Sequence, residues 1–369
     1  MPPNLRYPRL VNVSEQSVPA PLPAPLPLPG QLVLPGMPAE EPAADPGVLP
    51  GLAEVPPVFD VAAGDDPELA AVATALATLD PDGALMAGAI RRAFDMLLDG
   101  QHTGRYRWDQ LHKTEKTHAG TLVEINVQRA LRLADGAALD YSIAGADVDC
   151  KFSHRVGGWM IPPEAVGKLL LVIQASDDEG TWSAGLLRAR PELLRPAGNR
   201  DLKRSLNDEG RGSVLWLHAR APLQENILLR LSERAVVSVF APASGQQRVN
   251  ELFRQALGMR VSRTVVATVA MQDDYMKRVR DGGGARDQLR DEGIVIFGDY
   301  AGDQGLASAL GLPKPGPGEF VSARLTRLVD GAASGGVLRF DARFIRLDGA
   351  DWALAGSGDP AERAPALPR

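Results

Sequence analysis

The stretch ALDYSIAGADVDCKFSH, residues 138–154, decides how this chain folds. Polar and apolar residues alternate on both sides of Ala144–Gly145, the pattern of two short β-strands joined by a two-residue turn. With that turn, Ile143 pairs with Ala146, Ser142 with Asp147, Tyr141 with Val148 and Asp140 with Asp149. Strand alternation then puts Asp140, Ser142, Asp147, Asp149 and Lys151 on one face. Tyr141, Ile143, Val148, Cys150 and Phe152 take the other, the core face. Asp140 and Asp149 stand directly opposite, with Cβ atoms roughly 5 Å apart. Like charges so placed destabilise a hairpin unless something neutralises them. A divalent cation does so, and carboxylate oxygens are the ligands that Mg²⁺ prefers. Lys151, beside such a cation, is placed to orient or help deprotonate a water, or to stabilise charge developing on a phosphate. The competing reading is an exposed hairpin of mixed charge that binds nothing.

The surrounding pattern makes the hairpin part of an α/β (α+β) layer. Upstream, THAGTLVEINVQRALRLADG reads as a helix closed by Gly136, its buried stripe formed by Val123, Val127, Ala130, Leu131 and Ala134. Glu124 lies at the edge of that stripe, either as a further metal or water ligand or as a boundary glutamate reaching solvent. Earlier still, PELAAVATALATL is a helix capped by Asp66, and GALMAGAIRRAFDMLLDG a helix ended by Gly100. KTEKTH, residues 113–118, reads as a solvated connector whose Lys113, Lys116 and His118 are able to touch phosphate. After the hairpin come two strands, KLLLVIQASD and TWSAGLLRAR, a basic segment, RPAGNRDLKRSLNDEGRGS, and the strand VLWLHA. Helices flanking a mixed sheet define a first domain over 66–221.

A second pattern occupies 222–369. QQRVNELFRQALG is a helix ending at Gly258, MRV is a bridge, and Ser262 caps a further helix, SRTVVATVAMQ. Helix, short turn and capped helix is the helix-turn-helix layout, and ARDQLRDEGIVIFGDY supplies a helix and strand for a wing. Residues 1–65 hold more than half of the thirty prolines. Such spacing favours extended, solvated polyproline II, a disordered tail or tether, or else a proline-motif ligand for a partner.

The totals narrow the classes. No run of about 18 apolar residues exists to span a bilayer, and no secretory signal pattern opens the chain. One cysteine, Cys150, excludes an intramolecular disulfide and fits a reducing cytoplasm. With five scattered histidines it also argues against structural zinc. Cys150 points to the core face and has no placed base, so it is not a nucleophile. The net charge of −6 opposes a nucleic-acid partner, but its distribution is uneven. Residues 1–160 carry 20 acidic and 12 basic side chains, residues 161–369 carry 26 and 28, the basic ones mostly Arg. Arg suits phosphates and guanine edges, and equally an ordinary surface, so charge alone decides nothing.

Asp140, eight intervening residues and then Asp149-Cys150-Lys151, with a helical glutamate upstream, resembles the active site of PD-(D/E)XK nucleases. The wider text is more specific: LLDGQHTGRYRWDQLHKTEKTHAGTLVEIN, DVDCKFS, GWMIPPEAVG, and MQDDYMKRVR followed by EGIVIFGDY. Together these are similar to the NaeI family of type II restriction endonucleases over about residues 85–330. The resemblance implies a restriction-endonuclease-like mixed sheet flanked by helices, followed by a winged helix-turn-helix DNA-binding domain of catabolite-activator type. It implies Mg²⁺-dependent cleavage of double-stranded DNA within a GC-rich palindrome, stimulated by a second DNA site. Asp140, Asp149 and Glu124 are then the metal carboxylates and Lys151 the motif lysine. A homodimer whose axis matches the palindrome is expected. DNA contacts are expected from Lys113, Lys116, Asn199, Arg200, Lys203 and Arg204 in the first domain. Arg260, Ser262, Arg263, Lys277 and Arg278 are those expected in the second. Two other readings stay open: a repair or structure-specific nuclease on the same fold, and a transcription regulator with an inert nuclease-like domain.

Overall fold

The computed structural model describes residues 66–197, 201–328 and 343–368. The proline-rich stretch 1–65 and the two DNA-contact candidates Asn199 and Arg200 lie outside the described residues. Helix α1 (Pro67–Leu79) starts where the Asp66 carboxylate accepts the Leu69 N–H at 3.1 Å, with Pro67 at the first helical position. Helix α2 (Ala84–Leu98) ends on Asp99, whose φ is 47°, rather than on Gly100. Gly100 instead opens the short α3 (Gly100–Thr103), where any side chain would collide with Thr268.

Helix α4 (Lys113–Leu131) begins well before its apolar stripe. The KTEKTH segment is therefore helix and not a connector. Glu115 closes the first turn: its carboxylate accepts the His112 backbone N–H and the Arg105 guanidinium, each at 2.8 Å. The helix stops at Arg132, in the left-handed region, four residues before the expected Gly136. The chain turns there because β1 (Ala134–Asp135) pairs with β2 (Tyr141–Ile143).

Strand β3 (Ala146–Ser153) pairs antiparallel with β2 and parallel with β4 (Leu169–Ser176). β5 (Thr181–Arg188) and β6 (Leu215–Pro222), with the short α5 (Asp208–Gly212) between them, complete a six-stranded sheet whose strands β1 to β6 lie in sequential order. One face packs on α1, α2 and α4 through Leu76, Ile90, Phe94, Val123 and Val127. The other is covered by irregular chain, with Trp159, Ile161, Leu194 and Leu206 lying on Leu170, Val172 and Leu187. β4 is buried along its whole length because both faces are covered.

The rest of the chain holds α6 (Glu233–Phe240), α7 (Gly245–Gln255), β7 (Arg260–Ser262), α8 (Arg263–Ala270) and α9 (Ala285–Gln288). Then follow β8 (Ile294–Phe297), α10 (Ala301–Ala309), β9 (Glu319–Leu328), β10 (Phe344–Leu347) and β11 (Ala350–Leu354). The bridge expected at MRV is a strand: β7 pairs with β9, Val261 opposite Phe320. β8 pairs with the same strand, and β11 and β10 extend the sheet. Ser262 caps α8 as expected, its hydroxyl accepting the Val265 N–H at 3.3 Å. Asn226 ties this part to the first by donating to the Tyr106 carbonyl, while Gln224 donates to the Glu319 carboxylate within it. No single described helix is long and apolar enough to cross a membrane.

Candidate active site

The hairpin forms as read. Ala144 and Gly145 both have positive φ, 51° and 83°, matching the right-handed twist of the flanking strands. Ile143 opposes Ala146, Ser142 opposes Asp147, and Tyr141 opposes Val148. The ladder ends there, so Asp140 is not the cross-strand partner of Asp149. Its Oδ2 accepts the backbone N–H of Cys150 at 2.7 Å instead. That bond anchors Asp140 on the backbone next to Asp149, and the two carboxylates still repel each other. Asp147 acts away from this pair. Its carboxylate accepts the N–H groups of Ala137 and Ala138 and closes the loop after β1.

The polar face is not the fully solvated hairpin face of the competing reading. Asp149 is only 5 % exposed, because the chain around Trp159–Ala165 lies over that side of the sheet. Lys151 Nζ stands 2.7 Å from Asp149 Oδ2 and 3.9 Å from Asp140 Oδ2, and it donates to the Cys150 carbonyl at 3.0 Å. Burial pushes the Asp149 carboxyl above its ordinary range, aided by the charges of Asp140 and Glu164 and opposed by Lys151. Glu124 is also pushed up, by burial first and then by Asp140 and Asp149, again against Lys151. The structure thus brings the four expected site residues into one electrostatic neighbourhood. Cys150 is buried and desolvation raises its thiol to about 12, so it stays protonated.

The donor set suits a hard cation. Asp149 Oδ2 is sealed from solvent and makes no aligned hydrogen bond, despite its close approach to Lys151. Asp140, Asp149 and Glu124 offer only carboxylate oxygens, and their mutual repulsion is what a bound divalent cation would relieve. Among the described residues no three His, Cys, Asp or Glu side chains are already drawn into a metal cage. Ligation therefore needs side-chain adjustment.

Sequence reading missed Tyr141. Its fully buried hydroxyl donates to the Glu124 carbonyl at 2.8 Å and fixes α4 against the hairpin. The available signal is that a core-facing tyrosine needs a partner for its polar tip. Among the DNA-contact candidates, Lys113 is exposed and Lys116 half-buried at the start of the helix that carries Glu124. Lys203 is exposed, whereas Arg204 is half-buried and donates to the Arg195 carbonyl. Arg260 and Arg263 are exposed at either side of the capping Ser262. Lys277 and Arg278 both pair with Asp274, and Arg278 also donates to Gln272.

Comparison with known proteins identifies the family of the chain. The family model described as "Restriction endonuclease NaeI" matches residues 70–363. A type II restriction enzyme NaeI from Lentzea aerocolonigenes is 48% identical over 311 residues, spanning 82% of this chain and 95% of the relative.

Proposed function

Because the chain belongs to the NaeI family of restriction endonucleases, we propose that it is a type II site-specific deoxyribonuclease working at the Asp149–Lys151 site. The observation that carries the placement is Lys151 Nζ held 2.7 Å from the buried Asp149, with Asp140 and Glu124 in the same field. Asp140, Asp149 and Glu124 would hold Mg²⁺, which when bound would supply Lewis-acid stabilisation of charge on the phosphate. Lys151, with its ammonium between two carboxylates, donates to the attacking water or to a phosphate oxygen and fixes its position. The Cys150 N–H holds the Asp140 carboxylate in position, and Tyr141 holds the helix that presents Glu124. Duplex DNA lies across the face that bears Lys113 and Lys116.

The order α7–β7–α8–α9–β8–β9, with β7 and β8 both on β9, supports a winged helix-turn-helix reading of the second part. In that reading α8 precedes the recognition segment instead of forming it, and the candidates Lys277 and Arg278 lie within that segment. The second part binds another duplex, the active species is a homodimer, and the target is a GC-rich palindrome. No observation favours the regulator or repair readings. Digestion of a plasmid of known sequence with Mg²⁺, followed by mapping of the ends, tests the proposal. Double-strand breaks at one palindrome are expected; random nicking, or none, refutes it.

A further inference from the structure

Leu202 is in two unfavourable situations at once. It is 60 % exposed, and its φ of 55° lies in the left-handed region that disfavours any residue with a Cβ. The other described non-glycine residues with positive φ each serve a local element. Asp99, Arg132 and Met271 close helices. Ala144 and Asp348 sit in two-residue hairpin turns, and Arg220 lies where β6 slips register on β5. Leu202 stands in the loop that returns from Leu194–Arg195 to Ser205–Leu206, at a position where glycine would be unstrained.

The base of this loop is firmly held. Arg204 and Ile161 exchange both backbone hydrogen bonds at 2.8 Å. Trp159, nearby on the same segment, is buried and donates to the Ile173 carbonyl. That segment is the layer over the sheet face carrying Asp149 and Lys151. Leu202 therefore projects from the cover of the candidate site, followed by the cations Lys203 and Arg204. Met160, beside the paired Ile161, is 43 % exposed as well.

We propose that Leu202 is a wedge that enters the stack of the bound duplex, with Lys203 and Arg204 on the adjoining phosphates. The inference rests on the nuclease reading above. An aliphatic tip flanked by cations is the combination that unstacks a base step and bends DNA around a protein surface. Deformation of this kind adds selectivity for easily unstacked steps, without a hydrogen bond to any base.

The test uses the full chain, Leu202→Gly and Leu202→Met. Binding is measured in Ca²⁺, where no cleavage step enters, to duplexes of the mapped site carrying 2-aminopurine at successive positions. The wild type brightens the probe at one step, Leu202→Gly does not, and Leu202→Met restores the signal. Cleavage in Mg²⁺ falls roughly 10- to 100-fold in Leu202→Gly, while its Tm equals or exceeds that of the wild type because backbone strain is relieved. A Leu202→Gly protein that brightens the probe and cuts like the wild type overturns the wedge. So does one that melts earlier, which makes Leu202 a fold element, or one that loses self-association, which makes it a subunit contact. Loss of cleavage in the wild type, with the probe signal intact, would count against the acidic site and leave the wedge standing.

Discussion

Tyr141 donates its buried hydroxyl to the backbone carbonyl of Glu124 at 2.8 Å, so the residue next to Asp140 holds the helix that carries the third carboxylate. Removing that hydroxyl in Tyr141→Phe costs about 1 kcal/mol of stability, the net worth of one buried hydrogen bond. It also frees α4 to shift against β2. Single-turnover cleavage is expected to drop several-fold while affinity for DNA in Ca²⁺ stays constant. A lower Tm with unaltered cleavage would reduce Tyr141 to a structural residue.

Asp149→Ala and Lys151→Ala are each expected to abolish cleavage and to leave site-specific binding in Ca²⁺ measurable. In the proposed reaction these groups would handle the metal, the water and the reacting phosphate, whereas register and affinity come from other phosphate and base contacts. Gel-shift and cleavage assays on one duplex separate the two effects. Cleavage retained by either variant would remove Asp149 and Lys151 from the active site.

Much of this site is legible in the sequence because its determinants are local. The hairpin around Ala144–Gly145 follows from a period of two and a turn that needs positive φ. The Asp66 and Ser262 caps follow from one side chain reaching a backbone N–H three residues on. What is not legible depends on distant chain. Strand β7 exists only because β9 returns to pair with it. The burial of Asp149 is set by an irregular layer, Trp159–Ala165, that has no period to read. The first turn of α4 has no apolar stripe, and Glu115 holds it through Arg105 and His112. Gly100 looks like a helix stop, but its missing side chain serves the close approach of Thr268.

The Asp66–Arg188 pair makes stability depend on pH in one direction. Arg188 donates to both Asp66 oxygens, at 2.6 and 2.8 Å, and holds that carboxyl below the usual range. A depressed folded-state pKa stabilises above the unfolded value of about 4, and the gain is lost as pH falls through the folded value. Asp66→Asn keeps a cap and loses the ion pair. It is expected to be less stable than the wild type by about 1 kcal/mol at pH 7. The gap should hold to about pH 5 and close below about pH 4. Urea midpoints across that range measure it. A gap that persists in acid would mean the ionised carboxylate is not its source.

The last prediction is that cleavage responds to a second duplex, through a contact visible between the two parts of the chain. Arg260 on β7 and Arg263 at the start of α8 are exposed, where a bound duplex would load that helix. Thr264, the next residue, lines the same cavity as Asp95 on α2 and helps hold the charge of its carboxylate. Asp95 accepts from Arg91 at 2.9 Å, and the buried Arg91 reaches Asp177, just past β4, at 2.5 Å. DNA on the second part can accelerate cutting only if it favours the active arrangement of the first, which makes the coupling a shift of populations. Couplings of about 1–3 kcal/mol correspond to roughly 5- to 150-fold. A short single-site duplex should therefore be cut slowly, and an uncleavable duplex added in trans should speed it within that range. Arg260→Ala with Arg263→Ala should blunt the stimulation more than the basal rate, by weakening the second binding event. Thr264→Val should leave that binding intact and still lower the stimulation, because the link to Asp95 is cut. If single-site DNA is cut at full speed and added duplex only competes, the two parts are not coupled, and the Thr264–Asp95–Arg91–Asp177 chain serves stability alone.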